Sequence, residues 1–191
     1  MTLFEKAVIF ATHCHEGMVR KFDVKQYILH PLEVAVIAGD LTTDDEVLAA
    51  AVLHDTVEDT PASLENIREE FGDRVAYLVR MESEDKRANL PPAETWQIRK
   101  EESLAEMASS DDIGVKIIWL ADKLSNMRSF YKQYLVEGRA LWKKFHQKDE
   151  KMQEWYYRRI AELTLELQDT SAYKEYCELL EKIFKEEGAD E

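Results

Sequence analysis

Val47-Leu-Ala-Ala-Ala-Val-Leu-His-Asp-Thr-Val-Glu-Asp59 runs apolar through Leu53 and then carries His54, Asp55, Glu58 and Asp59. Burying an imidazole beside an ionisable carboxylate costs several kcal/mol unless something compensates, and a divalent cation is the most economical compensation. Thr43 with Glu46 has the spacing of a capping box, so the stretch is predicted to be one helix that closes before Pro61. On such a helix residues 54 and 58 share a face, and 55 and 59 share another about 100° away, so the four polar groups form a wedge at the helix end. His54 and Asp55 reach one cation at the edge of the wedge. Glu58 and Asp59, a turn further on, are left to handle water or a leaving group.

Two other stretches supply partners for that pair. Tyr27-Ile-Leu-His-Pro31 puts His30 before a proline suited to be the first residue of a helix running to Gly39. Ile117-Ile-Trp-Leu-Ala-Asp-Lys-Leu-Ser-Asn-Met127 sets Asp122 among apolar residues, with Asn126 one turn on as a substrate-facing neighbour. His30, His54, Asp55 and Asp122 then give two imidazoles and two carboxylates without a thiolate. That donor set suits a hard or borderline ion with positions open for water and phosphate. Mn²⁺ is the preferred ion, and Fe²⁺, Zn²⁺ and Mg²⁺ are compatible with the same donors. Such an ion acidifies water and neutralises charge on a phosphoryl oxygen, the two needs of phosphate-ester or pyrophosphate hydrolysis.

The rest of the chain reads as helix. Of its 191 residues 45% are hydrophobic and 34% charged, with only 6 Gly and 4 Pro, the profile of an all-α protein with one domain over residues 1–191. Thr2 and Glu5 form a capping box for a first helix ending near Gly17. Ser63 begins a short helix that stops at Phe71-Gly72, and Asp73 begins another reaching Met81. Residues 82–92 form a polar loop, followed by helices over about 93–107, 115–136, 151–167 and 171–187. The motif-bearing core is about 3–136, and the C-terminal helices lie within about 149–187. Cys14 and Cys177 make neither a disulfide framework nor a zinc site, which fits a reducing cytoplasm. No apolar run approaches the roughly 20 residues of a membrane span, and no signal-peptide pattern opens the sequence. A net charge of -14 argues against general affinity for nucleic acid. A phosphorylated small molecule needs a local basic pocket, for which Arg20, Lys21, Lys86, Arg99 and Lys100 are the candidates.

Taken together, Ala7-Val-Ile-Phe-Ala-Thr-His-Cys-His-Glu-Gly-Met-Val-Arg-Lys21, the His30-Pro31 segment, Leu53-His-Asp-Thr-Val-Glu-Asp-Thr60, Phe71-Gly72 and Leu120-Ala-Asp-Lys-Leu-Ser-Asn-Met-Arg128 resemble the hydrolase domain of the RelA/SpoT alarmone family. In length the chain is most similar to the single-domain small alarmone hydrolases. The resemblance implies an all-α HD bundle, with His30, His54, Asp55 and Asp122 holding one Mn²⁺ and Glu58 and Asp59 orienting or deprotonating the attacking water. It further implies that Arg20 and Lys21 hold the nucleotide and that Asn126 contacts its ribose or base. The implied reaction is removal of the 3′-pyrophosphate from ppGpp or pppGpp. His15 falls in the same motif outside the ligand set, as a residue that shapes the site or contacts substrate, with packing in the core as the alternative. His13 and His146 are ordinary helix or surface residues.

The chain departs from the family pattern at Met18, at Lys25-Gln26 and at Met81-Glu-Ser-Glu-Asp-Lys86, whose acidic run stands where a Val-Thr-Lys-like segment is common. That run predicts weakened binding of a polyphosphate and tighter binding after charge reversal, unless Lys86 or Lys100 screens it. It also keeps a second enzyme class in view, an HD phosphatase acting on NADPH or a deoxynucleotide. A two-metal cyclic-dinucleotide phosphodiesterase needs further histidines, and none lies between 55 and 122. A nucleotide sensor without turnover is a third reading, disfavoured because ligands and acidic pair are both intact.

Overall fold

The computed structural model describes residues 1–20, 24–87 and 89–185. They form ten α-helices: α1 Leu3–Cys14, α2 Leu29–Gly39, α3 Asp45–Leu53, the one-turn α4 Thr56–Asp59, α5 Leu64–Phe71, α6 Asp73–Glu82, α7 Pro92–Ala108, α8 Ile113–Glu137, α9 Glu150–Leu163 and α10 Ser171–Ile183. Two 3₁₀ segments, Gly138–Lys144 and Leu165–Leu167, complete them. Among the described residues the only β pairing is an isolated antiparallel bridge between Val19 and Gln26. The all-α expectation holds.

Helices α3 and α8 make the centre. Val47 and the run Ala49–Leu53 in α3 are buried, and the three alanines let α1, α2, α6 and α8 all pack against this short helix. In α8 apolar residues lie on every side over its first half, where Ile118, Leu120 and Leu124 are fully buried and Trp119 nearly so. A helix apolar all round belongs in the interior. Gly114 lets α8 begin there, since a β-carbon at that position would lie 2.8 Å from Val47 Cγ2 and 3.2 Å from Leu78 Cδ2. The C-terminal helices cover the far side, with α10 packed along α8.

Three local expectations are corrected. Helix α2 starts at Leu29, so Pro31 is its third residue and His30 its second. The first N–H groups of a helix have no intrahelical partner, so a proline is tolerated anywhere in that turn. Asp44 caps α3 through Glu46 N (3.0 Å), while Thr43 does not. Most important, the helix carrying the His-Asp pair is broken: α3 ends at Leu53, His54 and Asp55 form a turn, and α4 restarts at Thr56. Two side chains divert the carbonyls that would have continued the ladder. His54 Nδ1 bonds Ala51 O at 2.8 Å, and Thr56 Oγ1 donates to Leu53 O at 2.6 Å.

Arg74 of α6 ties the starts of α3 and α8 together. Its Nη1 donates to Asp44 (2.7 Å) and Glu46 (2.9 Å), and its Nε to Asp112 (3.1 Å), the capping residue of α8. Burial alone would raise the Asp44 and Asp112 carboxyls, but Arg74 and the capped backbone N–H groups outweigh it and hold both below the ordinary value of 3.8. A depressed carboxyl contributes stability that is present above its unfolded value and lost as pH falls through the folded one. Because these groups are partly exposed, Arg74→Ala is expected to cost on the order of 1 kcal/mol at pH 7. The cost should shrink as pH falls below about 3.8. Thermal melts of both proteins at pH 7 and pH 3 measure it; an equal deficit at both would remove the carboxylates from the account.

Candidate metal centre and its cleft

The turn at residues 54–55 does what a continuous helix could not. It holds His54 inside, with its Nδ1 proton on Ala51 O, and lets Asp55 turn its Oδ2 to within 3.1 Å of His54 Nε2 and 3.5 Å of His30 Nε2. His30 comes from the first turn of α2 and Asp122 from the middle of α8. Asp122 Oδ1 lies 3.0 Å from His30 Nε2 and 3.6 Å from His54 Nε2. One atom each from His30, His54 and Asp122 fall within 4.8 Å of one another, all three residues being buried.

The chemistry of this convergence fits a cation. A backbone carbonyl only accepts, so His54 carries its proton on Nδ1 and presents a bare Nε2, which is buried without a hydrogen-bond partner despite its nearness to Asp55. Two imidazole nitrogens and two carboxylate oxygens so disposed repel unless positive charge lies among them. The electrostatics agree. Burial lowers His54, but Asp55 and Asp122 outweigh it and hold the group well above the ordinary 6.5, so positive charge is favoured at this centre. Burial prevails at His30, which is lowered. Burial would raise Asp55 and Asp122, yet His54 at the first and Lys123 at the second hold both below the ordinary carboxyl range.

The centre opens on a cleft of about 200 Å³ with Glu58 and Asp59 at one side. Burial and neighbouring Asp55 raise the Glu58 carboxyl. Tyr27, which the sequence marked only as part of the His30 segment, has its hydroxyl 2.7 Å from both Asp55 Oδ2 and Asp59 Oδ2, so its one proton is shared between the two carboxylates. It thereby joins the ligand set to the acidic pair.

The residues expected to meet a substrate divide. Arg20 and Asn126 line the cleft, but they also engage each other: Arg20 Nη2 donates to Asn126 Oδ1 (3.0 Å) and Asn126 Nδ2 to Asp122 Oδ1 (2.8 Å). Lys86 is drawn to the acidic pair, 2.5 Å from Asp59 and 3.4 Å from Glu58. His15 lies behind Tyr27, the two rings tilted with centroids 4.8 Å apart, and among the described residues both its nitrogens are buried without a hydrogen-bond partner. Lys21 lies outside the described residues. His13 and His146 are exposed.

Two members of the acidic run have buried side chains, Glu82 and Glu84, while Asp85 is exposed. Glu84 bridges Arg99 and Lys100 (2.7 Å to the latter), and Glu82, almost wholly buried and raised to about 8 by desolvation, lies 3.6 Å from Lys123. Charge reversal at Glu84 would strip two cations of their shared partner, so the expected gain in binding does not follow from this geometry. Lys123 also pairs with Asp122, the alternative that the sequence left beside a ligand role for that aspartate, and lies over the Trp119 ring.

Residues 7–156 match the family model described as HD domain. A GTP pyrophosphokinase of Myxococcus xanthus is 34% identical over 131 residues, which cover 68% of this chain; the chain spans only 17% of that relative's length. A Listeria monocytogenes protein, lmo0812, superposes with a TM-score of 0.70 at 32% identity, covering 82% of this chain and 99% of its own. A metazoan ortholog of SpoT that hydrolyses ppGpp superposes with the same TM-score at 27% identity, covering 98% and 97%. No helix among the described residues is long and apolar enough to cross a membrane.

Proposed function

Since the chain belongs to the HD-domain family and to its RelA/SpoT-type branch, we propose that it is a metal-dependent pyrophosphohydrolase acting on the 3′-diphosphate of ppGpp or pppGpp. The products are pyrophosphate and GDP or GTP. The carrying observation is the convergence of His30, His54, Asp55 and Asp122 beside an acidic pair in one polar cleft. The near-complete overlap with a ppGpp-hydrolysing SpoT ortholog supports the substrate. On this reading the 191 residues act as one cytoplasmic hydrolase domain, and the partner is a small nucleotide rather than nucleic acid or membrane.

In this proposal His30, His54, Asp55 and Asp122 hold one divalent ion, Mn²⁺ by preference. The ion supplies a Lewis acid for a phosphoryl oxygen and acidifies water. The chain's own groups do the rest. Glu58, raised by burial, is poised to take a proton from the attacking water, and Asp59 orients that water while Lys86 balances their joint charge. Tyr27 keeps Asp55 and Asp59 in register, its hydroxyl held protonated by burial and by the two carboxylates. Arg20 at the cleft wall binds the nucleotide, while Asn126 holds both Arg20 and Asp122 in place.

The test is a turnover panel with product identification. Purified protein with Mn²⁺ is expected to release pyrophosphate, not orthophosphate, from ppGpp. Cleavage of NADPH or a deoxynucleotide instead, with the same ligands required, would keep the metal chemistry and overturn the alarmone assignment.

A further inference from the structure

His54 owes its tautomer to a backbone carbonyl, but His30 owes its own to side chains. Ser125, buried on α8 one turn beyond Asp122, has its Oγ 2.9 Å from His30 Nδ1 and donates its hydroxyl proton to Glu33 Oε2, also at 2.9 Å. An ionised carboxylate can only accept, and a serine has one proton to give. With that proton committed to Glu33, the serine oxygen accepts from His30, so Nδ1 is protonated and Nε2 is bare. A proton on Nε2 would occupy the position aimed at Asp122 and Asp55. Glu33 is in turn held by Arg128 Nη1 (3.0 Å), whose Nε and Nη2 clasp Glu175 of α10 at 2.6 and 2.7 Å. This outer anchor lies beyond residues 7–156, the part that matches the family.

We infer that Ser125, oriented by Glu33, is a positioning residue that fixes the tautomer of His30 and through it the affinity of the centre for a divalent cation. The inference rests on the reading of His30 as a ligand and adds what makes it one. Arg128 and Glu175 hold Glu33 from the C-terminal helix, so α10 takes part in ordering the centre although no residue of it reaches the cleft.

The experiment uses the full chain and Mn²⁺ alone. Binding is measured by competition with a chromophoric chelator, and the tautomer by ¹⁵N shifts of the histidine rings in the metal-free protein. Wild type is expected to show His30 protonated on Nδ1. Ser125→Ala should weaken Mn²⁺ binding about 10–100-fold, the usual cost of losing a group that orients a ligand, and should shift the ring toward the other tautomer while helical circular dichroism is retained. Ser125→Thr, which keeps the hydroxyl, should restore both readouts. Glu33→Leu frees the serine proton and should give a smaller loss in the same direction, which keeps the test open if Ser125→Ala folds poorly. Unchanged Mn²⁺ affinity and an unchanged ring in Ser125→Ala would overturn the inference. Failure to cleave ppGpp would leave it standing, since no nucleotide is present, whereas a wild type that binds no Mn²⁺ would sink it together with the proposed function.

Discussion

His54→Ala is expected to abolish tight Mn²⁺ binding and all measurable phosphohydrolase activity while leaving the helical fold in place. The loss should exceed the roughly 10–100-fold cost of disturbing an orienting group, because a donor itself is removed. The fold should survive because His54 already ends α3, and its ring bonds only the Ala51 carbonyl. Asp122→Ala should lose metal as completely but also melt earlier, since it leaves buried Lys123 with Glu82 as its remaining carboxylate partner at 3.6 Å. Asp122→Asn separates the two effects by keeping size and hydrogen bonding. Equilibrium dialysis with metal analysis, set beside thermal melts, measures both. Stoichiometric tight Mn²⁺ in His54→Ala and Asp122→Asn would refute the ligand assignment.

Glu58→Gln and Asp59→Asn are expected to divide chemistry from binding. Each swap preserves volume and a hydrogen-bonding oxygen but removes the charge that accepts a proton, so turnover should fall at least roughly 100-fold in one or both while Mn²⁺ affinity changes little. Glu58 carries the stronger expectation. Burial and the nearby Asp55 charge raise its carboxyl above the ordinary 4.5, which places the acid limb of kcat/KM higher than an exposed carboxylate would. A base whose value is raised works above that value and is lost as pH falls through it, so this limb should disappear in Glu58→Gln. Asp59→Asn should in addition release Lys86 and loosen Tyr27, both of which contact its carboxylate. Full turnover in both variants would mean that water activation needs no help from this pair.

How much of this was legible beforehand follows from the physics of each feature. The all-α class was open to reading, because apolar spacing, the capping box at Thr2 and the helix start at Ser63 are local devices that act within a turn or two. The candidate ligands were legible for a different reason: histidine and aspartate inside apolar runs carry a burial cost that the sequence displays before any fold is known. The break after Leu53 was not legible, since it depends on which carbonyls the His54 and Thr56 side chains reach once the segment is packed against α1, α2 and α8. Whether the acidic run is screened, which the sequence left conditional on Lys86 or Lys100, was not legible for the same reason. Charge counted along the chain predicts repulsion of a polyphosphate, but Glu84 is cancelled by Arg99 and Lys100 fifteen and sixteen residues away. Tyr27 and Ser125 stood inside quoted segments without a signal of their own, for a lone phenol or hydroxyl carries no burial cost that the sequence displays. Sequence by itself determined which residues could not be buried alone. Tertiary structure decided what each was buried with, because the partners come from α2, the 54–55 turn and α8, and distances of about 3 Å between them exist only after those elements pack.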